Sequence, residues 1–160
     1  MEILYGIVCV VGGYLLGSIS FSRIICRIKD MNGYNDDINV SVEGIDISYK
    51  VLARGASAAS MKYGAKTGIL ISVFDILIIF IPTLVLRILF PQEPYMFLYA
   101  AAGMAGHNWP LYHSFKGGRG ISSYYGGLFA IDPIGALVTM AAGMIFGFAI
   151  IRDYFIAYLA

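Results

Sequence analysis

Residues 107–120 read H-N-W-P-L-Y-H-S-F-K-G-G-R-G, with two cations and three glycines set between segments too apolar for a soluble domain. Lys116 and Arg119 bracket Gly117 and Gly118, and Gly120 follows. Glycine lets backbone N–H groups approach a phosphate closely, while Lys and Arg neutralise its charge. A helix begun at Gly120 adds its positive N-terminal end. The spacing is not G-x-x-x-x-G-K-[ST], so this is not a P-loop. Two readings follow: an anion-binding loop at a membrane face, or a cytoplasmic turn whose cations only fix topology.

The surroundings of this stretch set the class. Of 160 residues, 59% are hydrophobic and 13% charged, with a mean hydropathy of +0.76; an ordinary soluble domain carries about 25% charged residues. The expected fold is an all-α integral membrane protein of about five transmembrane or partly spanning helices, with its N-terminus outside. A net charge of +1 argues against nucleic acid as a partner. Cys9 and Cys26 fall on one expected helix, about 26 Å apart along its axis, too far for a disulfide. The apolar N-terminus lacks a basic leader and an A-x-A-like site, so it reads as a retained helix and not a signal peptide.

Helix 1 is expected over residues 3–26, where Gly12, Gly13, Gly17, Ser18 and Ser20 invite close packing by another helix. Residues 30–67 form one polar cytoplasmic segment. Within it Ile38-Asn-Val-Ser-Val42 and Ile45-Asp-Ile-Ser-Tyr49 alternate, which fits a short hairpin joined at Glu43-Gly44. The stretch Arg54-Gly-Ala-Ser-Ala-Ala-Ser60 is small-residue backbone beside cations: a second piece of an anion site, or a flexible lead-in to the next helix. Helix 2 is expected over 68–90 and contains Asp75. An ionised Asp near a helix centre costs about 2.5–3.5 kcal/mol, so a partner, a water-filled cavity or protonation is expected there.

Beyond Pro91 and Pro94 the apolar pieces shorten. Helices 3 (95–106) and 4 (121–131) rise about 18 Å or less, against a hydrocarbon core of about 30 Å. The loop 107–120 must therefore dip into the bilayer, or Trp109, Tyr112 and Phe115 must complete the span; non-helical backbone at that depth needs protein or water around it. Helix 5 (134–151) returns to the cytoplasm, and 153–160 reads as the start of a further helix. Five crossings from an outside N-terminus place every Lys and Arg except Arg87 inside, and leave Glu2, Glu93 and Asp132 outside.

The segment G-H-N-W-P-L-Y-H-S-F-K-G-G-R-G, residues 106–120, resembles the membrane glycerol-3-phosphate acyltransferases that take their acyl group from acyl phosphate. Their motif reads approximately G-H-x-x-P-x-x-x-x-F-K-G-G-K-G, matched here except for Arg119 in place of Lys. Gly13-Tyr-Leu-Leu-Gly-Ser-Ile-Ser20 is similar to the family's Y-L-L-G-S-I-x, and Phe74-Asp-Ile-Leu-Ile-Ile-Phe-Ile-Pro82 to its D-x-x-K-G-x-x-P helix, with Ile78 where the family has Lys. The family's G-S-G-N-x-G-A-T-N corresponds to residues 54–60, which hold no Asn and offer only the side chains of Ser57 and Ser60; Lys62 stands for the family's following Arg. The family pattern runs on for two more helices, past residue 160, to a third motif with an Asn.

The resemblance implies acyl transfer from acyl phosphate to the 1-hydroxyl of glycerol 3-phosphate, giving lysophosphatidic acid for phospholipid synthesis in a multi-pass cell-membrane protein. It implies phosphate binding by Lys116, Gly117, Gly118, Arg119, Gly120, Ser57, Ser60 and Lys62. His107, the family-matched histidine, orients or binds substrate, and His113 belongs to the loop's structure. Cations holding two phosphate-bearing substrates together supply proximity without a protein nucleophile. No Ser-His-Asp spacing or metal-ligand spacing competes, and no cofactor or metal is required. The alternative is a lipid-binding or complex-forming membrane subunit that keeps the fold; transport is disfavoured because no inverted repeat is visible.

Overall fold

The computed structural model describes residues 1–29, 37–42, 45–52 and 55–151. In chain order it contains α1 (Glu2–Gly17), α2 (Phe21–Lys29), β1 (Asp37–Val42), β2 (Ile45–Leu52), α3 (Ala56–Tyr63), α4 (Ala65–Leu89), α5 (Tyr95–Asn108), a 3-10 turn (Leu111–His113), α6 (Ile121–Ile131), α7 (Pro133–Ile145) and a π-helical stretch over Phe146–Ile151. β1 and β2 pair antiparallel, with Val40 opposite Tyr49 and Asn39 opposite Lys50, which is the hairpin the alternation suggests. Arg54 and the further helix expected over 153–160 lie outside the described residues.

The first expected helix departs from a single rod: it divides between Gly17 and Phe21. Ser18 Oγ donates to the Tyr14 carbonyl at 2.7 Å and Ile19 N–H turns to Leu16, three residues back, so side-chain and 3-10 bonds end the α-helical ladder. The chain restarts at once, because the Ser20 carbonyl accepts from Ile24 N–H. The interruption leaves residues 18–20 outside both helices.

Two helix pairings hold the body together. α1 crosses α5 along a glycine seam: a Cβ on Gly13 would strike the Tyr99 carbonyl, one on Gly17 the Gly103 backbone, and one on Gly106 the Tyr14 carbonyl. Helices in lipid gain little from apolar burial, so backbone approach at small residues is their main source of contact. Gly12, on the other face, meets nothing within 4 Å, so only part of the expected small-residue run is interface. α4 meets α6 in the same manner, with Gly126 against the Ile76 backbone, and Ile79 lies fully buried where α4, α5 and α6 converge on Gly103 and Gly127.

α4 carries Pro82 in its interior. Proline has no N–H to give the carbonyl four residues back, so the Ile78 oxygen is released from the ladder. Tyr99 Oη of α5 donates to that oxygen at 3.3 Å, and Thr83 Oγ1 donates to the Ile79 carbonyl at 2.7 Å. The break in one helix is thus satisfied by its neighbour, as a membrane interior requires. At the other end Arg87 Nη1 donates to the Ala130 carbonyl at 2.8 Å, near the C-terminus of α6. Asp132 alone separates α6 from α7; its carboxylate caps Gly135 N–H at 2.9 Å and Pro133 opens the helix.

Large apolar side chains cover the outside: Ile3 is 82% exposed, Ile88 68% and Ile134 75%. Such a surface suits hydrocarbon and not water. Glu2–Lys29, taken through its break, and Ala65–Leu89 are long and apolar enough to cross a bilayer. α5 and α6, at 14 and 11 residues, fall short of a full crossing.

Candidate functional site

Residues 109–120 join the short helices α5 and α6, and the sequence folds this stretch onto the end of α5. Pro110, fully buried, accepts from both His113 N–H (3.2 Å) and Phe115 N–H (3.0 Å). Ser114 and Phe115 adopt left-handed backbone, φ 53° and 59°, reversing the chain. Lys116 N–H returns to the His113 carbonyl and Gly118 N–H to the His107 carbonyl, at 3.1 and 3.2 Å. Glycine is obligatory at 117, since a Cβ there would collide with the His107 carbonyl and Pro110. Gly120, at φ 77°, is the N-cap of α6, and a Cβ there would strike the Asn108 side chain.

This folded loop faces the interruption of the first helix. A small cleft opens between residues 17–20 on one wall and His107, Pro110, Gly117 and Gly118 on the other. Three contacts hold the walls together. Tyr14 Oη donates to the Trp109 carbonyl at 2.8 Å, Leu111 N–H donates to Ser18 Oγ at 3.3 Å, and Arg23 Nη2 donates to the Lys116 carbonyl at 2.9 Å. Trp109, Tyr112 and Phe115 stand outside, each more than half exposed, as the aromatic shoulders of the loop.

The structure thus brings His107, Gly117 and Gly118 into one cleft, with Lys116 and Arg119 exposed at its rim and Gly120 at the start of α6. Because the Gly118 N–H is committed to His107, that residue holds the turn, while its neighbours present backbone and charge. Ser57, Ser60 and Lys62 lie on α3, which packs on the start of α4 and not in the cleft lining. Ser60 faces Gly68, and Lys62 Nζ sits 5.1 Å from the Tyr63 ring centroid, a ring that Lys29 Nζ also approaches at 5.9 Å. In the sequence Arg23 counts only as one of the interior cations, and the structure sets it against the loop. Its contact with the loop depends on the break between Gly17 and Phe21, for which the sequence carries no strong signal.

Polar atoms without partners mark the interior beneath. Asp75 and Ser123, 3% and 1% exposed, lie on α4 and α6, and Asn108 ends α5. Among the described residues Asp75 Oδ1, Ser123 Oγ and Asn108 Oδ1 are buried with no hydrogen bond. Ile78 stands one turn beyond Asp75, and its side chain offers that carboxylate no charge.

A family model described as "Glycerol-3-phosphate acyltransferase" matches residues 7–158. The glycerol-3-phosphate acyltransferase of Aquifex aeolicus is 32% identical over 129 residues, 80% of this chain and 60% of that protein. That of Halalkalibacterium halodurans is 32% identical over 137 residues, 83% of this chain and 60% of that protein. The chain therefore spans about 60% of the length of these relatives. The crystal structure of PlsY (YgiH), an integral membrane glycerol 3-phosphate acyltransferase, in its glycerol 3-phosphate form superposes with a TM-score of 0.69 at 28% identity, over 90% of this chain and 66% of that one. Its lysophosphatidic acid form gives 0.69 at 30% identity, over 88% and 64%.

Proposed function

Because this chain belongs to the glycerol-3-phosphate acyltransferase family, we propose that it transfers a fatty acyl group from acyl phosphate to the 1-hydroxyl of glycerol 3-phosphate in the cell membrane, which it crosses several times. The observation that carries this reading is the cleft between the interrupted first helix and the Lys116–Gly120 loop, formed by two of the three segments that match the family's motifs. The oxygen of the 1-hydroxyl attacks the acyl carbonyl carbon and forms the ester bond. The bond from that carbon to the phosphate oxygen breaks, and inorganic phosphate leaves with the electron pair. The hydroxyl proton passes to a phosphate oxygen, so no protein nucleophile is needed.

In this scheme Lys116 and Arg119 neutralise the two phosphates, which would otherwise repel each other. Gly117 and Gly120 let backbone approach them, Gly118 keeps the turn closed, and His107 orients the bound substrate. Ser57, Ser60 and Lys62 contribute from α3 if that helix closes toward the cleft when substrate enters. The apolar faces beside the loop supply a path for the acyl chain. Residues 54–60, which lack the family's Asn donors, favour a second reading: a membrane subunit that binds lipid or another chain without turnover.

Purified full chain in lipid, given acyl phosphate and labelled glycerol 3-phosphate, separates the two. Labelled lysophosphatidic acid is the expected product. Folded protein that forms none, beside a longer family member that does so under the same conditions, sinks the enzyme reading and leaves the subunit.

A further inference from the structure

We infer that Arg23 is a positioning residue of the anion site, fixing the Lys116–Gly120 backbone at the working distance from the helix interruption; this rests on the function proposed above. Three observations converge on it. The guanidinium Nη2 donates to the Lys116 carbonyl at 2.9 Å, across 93 residues of sequence. That carbonyl belongs to the peptide joining Lys116 to Gly117, a residue of the cleft lining, so the bond fixes the backbone where it forms the cleft wall. Arg23 also follows directly on the wall formed by residues 17–20, so the same short segment builds one side of the cleft and grips the other.

The chemistry suits arginine. A planar guanidinium carries five donors in a rigid fork, so it can hold a carbonyl in a fixed direction with one N–H and keep others for further partners. Lysine offers a point charge on a flexible stem and fixes direction less well. The residue also adds positive charge at a site where residues 54–60 offer no Asn donors. A loop containing Gly117, Gly118 and Gly120 has few side-chain contacts of its own to set its register. An anchor from outside the loop is therefore the economical solution.

The test compares Arg23→Ala, Arg23→Lys and Arg27→Ala in the full chain, reconstituted in lipid. Arg27 is an exposed cation one turn further along α2 and controls for loss of charge alone. Three quantities are read: the dependence of acyl transfer on glycerol 3-phosphate concentration, amide exchange over residues 116–120, and the melting temperature. For Arg23→Ala we expect KM for glycerol 3-phosphate to rise about tenfold or more, the loss typical of a hydrogen bond to a charged group. Exchange at Gly117 and Gly118 should quicken, with kcat and melting little changed. Arg23→Lys should recover part of the KM, and Arg27→Ala should match the parent. A merely structural role lowers the folded fraction instead, so kcat and melting fall together at unchanged KM, and that pattern overturns the inference. Parental KM and parental exchange in a folded Arg23→Ala chain overturn it as well. Should the parent itself make no product, the exchange measurement still decides: quickened exchange in Arg23→Ala keeps the anchor and removes the acyl-transfer reading, and unchanged exchange removes the anchor.

Discussion

Lys116 and Arg119 stand exposed at the rim of the cleft, where a charge that serves only topology would look the same as one that holds a phosphate. Binding distinguishes them. If they hold phosphate, either Ala variant should lose about 10- to 150-fold in affinity for glycerol 3-phosphate, the range for one charge-assisted hydrogen bond. Lys116→Arg should fall between parent and Ala, because charge returns in a different geometry. A stable Lys116→Ala, Arg119→Ala double variant with parental affinity would leave the cations a topological role alone. Asp75 poses the opposite problem, a charge-bearing group inside the fold with Oδ1 unpartnered among the described residues. Asp75→Asn keeps the shape and removes the charge that burial without a cation disfavours. Its yield of folded protein and its melting temperature should equal the parent's; a severe loss in both would show that the group pairs as a carboxylate. These residues were legible in the sequence because glycine, charge and spacing declare them. Arg23 was not, because its role depends on a break in the helix that hydropathy does not register.

At the scale of elements, the glycine seam between α1 and α5 makes a sharp forecast. Gly12 and Gly17 are five positions apart on one helix, but only Gly17 meets a backbone, that of Gly103. Gly17→Ala should therefore cost about 1–3 kcal/mol or more through overpacking. Gly12→Ala, with open space around it, should be neutral or gain about 0.5–1 kcal/mol from the better helix former. Thermal unfolding of the two variants in detergent checks the contrast; equal melting would mean that the seam is not the contact surface. The positions of the helices after Pro94 were legible, because Pro94, Gly120 and the Asp132-Pro133 pair punctuate them. The division of the first helix was not, since Ser18 ends the ladder through a side-chain bond to Tyr14 and a Ser inside an apolar run is a weak signal. Likewise the pairing of Tyr99 with the carbonyl released by Pro82 depends on which helices become neighbours, and spacing within one segment cannot reveal that.

For the molecule as a whole, the charge pattern predicts an orientation with the hairpin, α3 and the Lys116–Gly120 loop on the cytoplasmic side and the turn near Gln92 outside. In a chain with Cys9 and Cys26 replaced, an impermeant thiol reagent added to intact cells should reach a cysteine at Gln92 and not one at Tyr34. Labelling of Tyr34→Cys alone would invert the orientation. The overall class followed from composition, because a surface of exposed Ile, Leu and Val has one compatible solvent. The meeting of distant segments did not, and it carries a consequence for biosynthesis. The two walls of the cleft, residues 17–20 and 107–118, are separated by roughly 90 residues, which a ribosome adding about 5–20 residues per second needs about 5–20 s to supply. Throughout that interval the glycine groove of α1 has no α5 to receive it. The cleft therefore cannot close until its second wall has been made, and the interrupted first helix precedes by that interval the partner that completes it.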